Sequence, residues 1–403
     1  MFQPSQDHPE SPETPTADPP EPVPSHPESP PPRAGGWLRR TIASLTRGLD
    51  WILGLLCLVA GLAIFSVIPL LNFMSLGYLL HASAQVARAG RFQDGFPGVH
   101  QASRIGSFVI GALLISLPAR ILSGLWKDAE VVAPGSADAA LWRAATFLVT
   151  SATLFQILWA SLRGGRFHHF LWPAPLQFIA WLKTPDKVTS LRRRVSAAIA
   201  RLRLPFLFWL GARAFAGTLL WLLLPVGILV AAAQRPPEQG GILLSLLGAI
   251  LLMPVVLYLP FLQVHFALEN RFRALFEIGS IRQHFNRAPL AFWSALLATL
   301  LFALPLYLLK IELPPRGIVW LPSLVFVLFI FPARLLTGWA FGRALRQQQP
   351  RHGLIRWSSR LALLPVMVFY VVIVYLSQYL AWNGSLGLLE QHAFLVPAPW
   401  ASL

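Results

Sequence analysis

Long stretches of this chain carry no charge at all, and they constrain its fold more than any other feature. Residues 214–233, 288–309 and 361–382 each run twenty residues or more without Asp, Glu, Lys or Arg. A helix rising about 1.5 Å per residue needs about 20 such residues to cross the ~30 Å hydrocarbon layer of a bilayer. Hydrophobic residues make up 55% of the 403 and charged ones only 12%. The mean hydropathy of +0.57 excludes a pair of water-soluble domains. The expected fold class is all-α: a polytopic helical membrane protein with a helical hairpin and about seven transmembrane helices.

The net charge of +16 is unevenly placed. Residues 1–36 hold Asp7, Glu10, Glu13, Asp18, Glu21 and Glu28 against Arg33, so the membrane part is still more basic than the whole chain. The same segment holds 12 of the 35 prolines and almost nothing that could pack, which predicts a disordered acidic tail able to engage a protein partner. Residues 37–50 place Leu38, Ile42, Leu45 and Leu49 at helical intervals among Arg39, Arg40 and Arg47, as an interfacial amphipathic helix does. Because the first apolar run begins only at Trp51, behind a polar tail, a cleavable signal peptide is not expected.

Residues 51–87 carry no Asp, Glu, Lys or Arg and are interrupted by Pro69 and Asn72. That is nearly twice one crossing, so a tight hairpin is expected, made of two short crossings or a re-entrant loop. Further spans are expected over about 105–126, 141–162, 206–233, 241–268, 288–309, 318–342 and 361–383, followed by an external tail over 384–403. Arginine gathers in alternate connections: 39–47, 88–104, 163–203, 271–287 and 343–360. By the positive-inside rule these face the cytoplasm, which puts the amino terminus inside and the carboxyl terminus outside a cytoplasmic membrane. Within the cytoplasmic segment 163–204, Val188, Leu191, Val195, Ile199 and Leu202 line one helix face. Arg192, Arg193, Arg194 and Arg201 surround it, a pattern suited to anionic lipid headgroups at about 1 kcal/mol per arginine. Membrane lipid is therefore the expected partner. Nucleic acid is not expected, since there is no folded polar domain or long basic arm.

One heptapeptide recurs. Pro118-Ala119-Arg120-Ile121-Leu122-Ser123-Gly124 and Pro332-Ala333-Arg334-Leu335-Leu336-Thr337-Gly338 nearly coincide, and Gly211-Ala212-Arg213-Ala214-Phe215-Ala216-Gly217 keeps the Ala-Arg and the final glycine. Small residues four apart permit close helix approach, and an arginine beside them can be shielded by the neighbouring helix. Arg120, Arg213 and Arg334 are thus candidate contacts for an anionic ligand, the alternative being arginines that snorkel to an interface. The intervals Pro69 to Pro118 and Pro254 to Pro305 bracket similar span, basic loop, span units, an echo of internal duplication.

Signs of chemistry are sparse. The expected span interiors hold no Asp or Glu, which speaks against ion-coupled transport. There is no H-E-x-x-H, paired C-x-x-C or G-x-S-x-G, and the adjacent His168 and His169 would point about 100° apart on a helix, a poor metal pair. His81, His100, His284 and His352 fall on the expected cytoplasmic side, where interfacial histidine is common. The near-terminal Glu390 and His392 make a pair and nothing more. No catalytic residue, metal or cofactor is expected.

Asn72-Phe73-Met74-Ser75-Leu76-Gly77-Tyr78-Leu79-Leu80, then Ala87-Arg88-Ala89-Gly90, then Asp94-Gly95-Phe96-Pro97-Gly98 and a span ending at Pro118, resembles a bacterial family of multi-span membrane proteins catalogued as a domain of unknown function. The resemblance covers about a tenth of the chain. It implies a bacterial cytoplasmic membrane protein and brings no catalytic residues. The expected role is non-enzymatic, organising membrane helices and lipid or binding a partner. A transporter or flippase for an anionic or amphiphilic compound is the alternative, and a membrane-embedded enzyme the third reading.

Overall fold

The computed structural model describes residues 36–182, 202–235, 240–308 and 320–377, with isolated positions at 189, 192–193, 196–197, 200 and 388. Most of the expected tail over 1–36, part of the expected amphipathic segment 163–204 (residues 183–188 and several positions over 190–201) and nearly all of 384–403 lie outside the described residues. The chain divides into Met1–Arg47 and Gly48–Leu403. Of the first unit, the described part is helical from Gly36, and its described side chains are exposed.

Twelve helices are described: α1 (Gly36–Val67), α2 (Asn72–Ala89), α3 (Val99–Val132), α4 (Ala137–Leu162), α5 (Phe167–Leu171), α6 (Pro175–Leu182), α7 (Leu204–Ala233), α8 (Gly241–Glu269), α9 (Ile278–Arg287), α10 (Pro289–Leu308), α11 (Trp320–Arg346) and α12 (Gly353–Ser377). There is no strand among the described residues. Seven of the helices, α1, α3, α4, α7, α8, α11 and α12, are long and apolar enough to cross a membrane. A further candidate span is a bent pair in which α9 meets α10 at 112°. The protein is an all-α, multi-span membrane protein.

Local sequence explains the boundaries. The helix α1 ends at Val67, just before Pro69, which disfavours helical backbone at the residue before it. Ser136 caps α4, its Oγ accepting from the Ala139 amide at 3.1 Å, with Asp138 in the first turn. Pro118, Pro225, Pro254, Pro260, Pro305, Pro332 and Pro365 all lie inside helices, as apolar surroundings with packed neighbours permit.

The core lies where α2, α7, α8, α10, α11 and α12 meet, around side chains such as Leu79, Val226, Leu259, Phe261, Leu296, Val327 and Phe341. Although α2 is the shortest of the core helices apart from α9, it is buried along most of its length. Its backbone approaches α7 where Gly77 lies against the Leu207 carbonyl and Gly211 against the Phe73 carbonyl. It approaches α11 where Gly338 faces the Ser83 carbonyl and Gly342 the Ala87 carbonyl. By contrast α3 and α4 pair with each other and leave Leu113, Leu117, Val131, Leu148 and Leu154 exposed, the apolar surface a lipid-facing helix presents.

A turn is used twice. After α2, Gly90 takes the left-handed conformation (φ 79°), Arg91 is extended and a 3₁₀ turn follows over Phe92–Gly95. After α8, Asn270 does the same (φ 55°), Arg271 is extended and a 3₁₀ turn covers Phe272–Phe276. Glycine and asparagine are the residues that accept this helix end most readily. The two turns lie side by side, since Arg88 Nη2 donates to the Leu268 carbonyl at 2.6 Å across 180 residues.

Candidate functional site

The ends of α2, α8 and α11 and the start of α7 come together, and arginines close them. Arg213 on α7 donates to the Asn270 carbonyl at 3.3 Å and to Asn270 Oδ1 at 2.5 Å, with its guanidinium over the Phe266 ring. Together with Arg88 it satisfies the carbonyls left open where α8 stops, placing positive charge at the negative end of the helix dipole. The Arg346 side chain packs against Gly90, at the matching end of α2.

Deeper in the bundle, three helices share a polar chain. Arg334, only 4% exposed on α11, donates to Gln263 Oε1 on α8; Gln263 Nε2 donates to Thr218 Oγ1 on α7 at 2.7 Å; Thr218 donates to the Ala214 carbonyl at 2.8 Å. Polar groups surrounded by apolar side chains carry a desolvation cost unless partnered, and these meet one another. The repeated heptapeptide therefore has three different surroundings. Arg334 is buried, Arg213 caps a helix, and Arg120 stands exposed on α3, where a Cβ added to Gly124 would meet nothing within 4 Å. The three arginines are not brought together. Of the four arginines expected at lipid headgroups, Arg192 and Arg193 are exposed, while Arg194 and Arg201 lie outside the described residues.

A cleft of about 470 Å³ opens between α8, α9, α10 and α12. Phe261, Phe292, Leu296, Leu363 and Met367 give it apolar walls, and Arg282 and Arg360 are exposed among its lining residues. Both guanidiniums are held in place. Arg282 Nε donates to the Tyr258 hydroxyl at 3.1 Å, and Arg360 Nη2 donates to Asn286 Oδ1 at 2.9 Å while lying over Phe285 and Trp357. The sharp bend between α9 and α10 creates this arrangement. Ile281 and Phe285 turn inward on α9, and Arg282 on the same short helix stays outside. A second cavity of about 350 Å³ lies between α1, α2, α3 and the start of α7, beside Cys57, Tyr78, His81 and Arg203. Neither cavity is lined by Arg120, Arg213 or Arg334.

A titratable cluster sits at the end of α8. His265 Nε2 is 2.9 Å from Glu277 Oε2 and 3.6 Å from Glu269 Oε1, and Glu269 Oε2 pairs with Arg271. The hydrogen bond from His265 holds the Glu277 carboxyl below the usual carboxylate range. Nearby, His284 Nδ1 donates to the Ser280 carbonyl at 2.6 Å, and its ring stacks on Phe341, which also stacks on His265. Among the described residues this is the group of His, Cys, Asp and Glu whose ligand atoms lie close enough, all within 4.8 Å, to hold a metal ion. Sequence reasoning missed it. His265 and Glu269 are four apart and share a helix face, a readable signal, but Glu277 joins them only because the Asn270 turn folds the chain back.

A family model described as a protein of unknown function (DUF4013) matches residues 205–314, just over a quarter of the chain. It takes in α7 to α10 and with them Arg213, Gln263, His265 and Arg282. The residues of the resemblance noted above, 72–118, lie outside this segment, yet the Gly90-Arg91-Phe92 turn has its structural counterpart inside it at Asn270-Arg271-Phe272. No curated protein and no solved structure matches the chain.

Proposed function

We propose that this chain is a non-enzymatic protein of a bacterial cytoplasmic membrane that binds anionic lipid from its own bilayer, with the arginine-rich end at the cytoplasmic face. The observation that carries the reading is the α8–α12 cleft, where apolar walls continue to two exposed guanidiniums fixed by Tyr258 and Asn286. Apolar walls suit acyl chains at about 25 cal/mol per Å² of surface removed from water, and forked arginine donors suit a phosphate. A headgroup seated there would meet both charges at once, while its chain followed Phe292, Leu296 and Met367.

The test is thermal stability of the detergent-solubilised full chain with added phosphatidylglycerol or phosphatidylcholine. Phosphatidylglycerol is expected to raise Tm more, and the double variant Arg282→Gln, Arg360→Gln to erase the difference. Equal effects of the two lipids on the wild type, or a preference that survives in the double variant, would contradict the reading.

Transport of an anionic amphiphile is the second reading, and one observation favours it: Arg334 lies buried between α8 and α11. A carrier built on it would move anionic lipid across reconstituted vesicles and stop in Arg334→Gln. Lipid movement indistinguishable from that of protein-free vesicles leaves the static binding role.

A further inference from the structure

We infer that His265, Glu269 and Glu277 form a site for a divalent transition-metal ion of the zinc type, which clamps the start of α9 to the end of α8. The ligand set is one imidazole nitrogen and two carboxylate oxygens, a combination zinc uses, with water left to complete four-coordination.

The distances suit that geometry. Ligand bonds of about 2.0–2.2 Å at tetrahedral angles put neighbouring ligand atoms roughly 3.3–3.5 Å apart. His265 Nε2 is 3.6 Å from Glu269 Oε1, and 2.9 Å from Glu277 Oε2, where a proton now lies between them. To bind the ion the imidazole carries its proton on Nδ1, the Nε2 lone pair turns to the metal, and the Glu277 contact opens by about half an ångström. The outer contacts are already in place. Arg271 holds Glu269 Oε2 and leaves Oε1 toward His265, the kind of hydrogen bond that orients a ligating carboxylate. His265 is 5% exposed and packed against Phe341, which fixes its ring. Glu269 and Glu277 are about a third exposed, so an ion has a way in.

Two carboxylates balance a dication, and Arg271 offsets part of that balance, so the expected affinity is moderate. Hard, oxygen-seeking Mg²⁺ and Ca²⁺ prefer six or more oxygen ligands and should compete poorly with Zn²⁺ or Co²⁺. Because Glu277 immediately precedes α9, which carries Arg282, metal binding would also steady one wall of the cleft.

The experiment uses the full chain in detergent, purified without a polyhistidine tag and stripped with EDTA, then titrated with Co²⁺ in the absence of lipid. One saturable equivalent is expected, with the visible absorption of a low-coordinate N/O site, displaced by Zn²⁺ and not by Mg²⁺. Glu269→Gln and Glu277→Gln should each weaken Co²⁺ binding at least tenfold while the variants elute as the wild type does on gel filtration. Glu269 is the safer position for folding, being partly exposed and at a helix end. A wild type without saturable binding, or Gln variants that bind as the wild type does, would overturn the inference. The Co²⁺ readout involves neither lipid nor Arg282 and Arg360, so its outcome is separate from that of the lipid test.

Discussion

Arg120, Arg213 and Arg334 sit in almost the same heptapeptide and have almost nothing else in common. What differs is the neighbour: open surroundings for Arg120, the end of α8 for Arg213, and Gln263 inside the bundle for Arg334. Arg334→Ala is therefore expected to cost about 1–3 kcal/mol, the size seen when a buried acceptor such as Gln263 Oε1 loses its donor. Arg120→Ala should stay within about 0.5 kcal/mol. Chemical unfolding in mild detergent measures both, and equal effects would contradict the assignment. Glu277 gives a pH prediction. Its folded-state pKa is depressed by His265, so the stability it contributes is present above the ordinary carboxylate range and is lost as pH falls through its folded value. Between about pH 5 and pH 3 the wild type should lose Tm more steeply than Glu277→Gln; parallel curves would show that the contact contributes nothing. These environments were not legible in the heptapeptides, because burial depends on which helix lies opposite, and local spacing does not encode that.

At the scale of elements, α2 depends on having no side chain at four contacts. A Cβ on Gly77 or Gly211 would overlap a carbonyl oxygen of the facing helix, and backbone cannot give way as a flexible side chain can. Gly77→Val and Gly211→Val should abolish recovery of folded protein. Gly227→Ala on α7, with nothing within 4 Å, should be neutral or gain up to about 1 kcal/mol from helix propensity. Monodispersity on size exclusion separates the two classes; a well-folded Gly77→Val would refute the close α2–α7 packing. The long apolar runs and the turn at Pro69 made most helices legible, since hydrocarbon thickness and proline geometry are both local constraints on sequence. The 112° bend between α9 and α10, at Ala288-Pro289, was not, although a proline stands there, because proline begins helices as readily as it ends them.

For the whole molecule, the alternation of arginine along the chain corresponds to a bundle in which distant basic segments touch. Arg88 reaches Leu268, Arg213 reaches Asn270, and the amide of Arg351 and the guanidinium of Arg360 both reach Asn286. Charge spacing picked out the segments that meet, since the basic residues gather where apolar runs stop. The cleft and the His265 cluster were hidden, being assembled from α8, α9, α10 and α12 by a turn and a bend that sequence periodicity does not contain. The account rests on these basic segments sharing one face of the membrane, and sided cysteine labelling tests that most directly. In a Cys57→Ala background, single cysteines at Gln93, Ser161 and Gln349 probe the arginine-rich end, and cysteines at Ala133 and Gln234 the opposite one. In intact cells a membrane-impermeant maleimide should label Ala133→Cys and Gln234→Cys and spare the other three, which should react only once the membrane is opened. Labelling of Gln93→Cys, Ser161→Cys or Gln349→Cys from the same side as Ala133→Cys would contradict it.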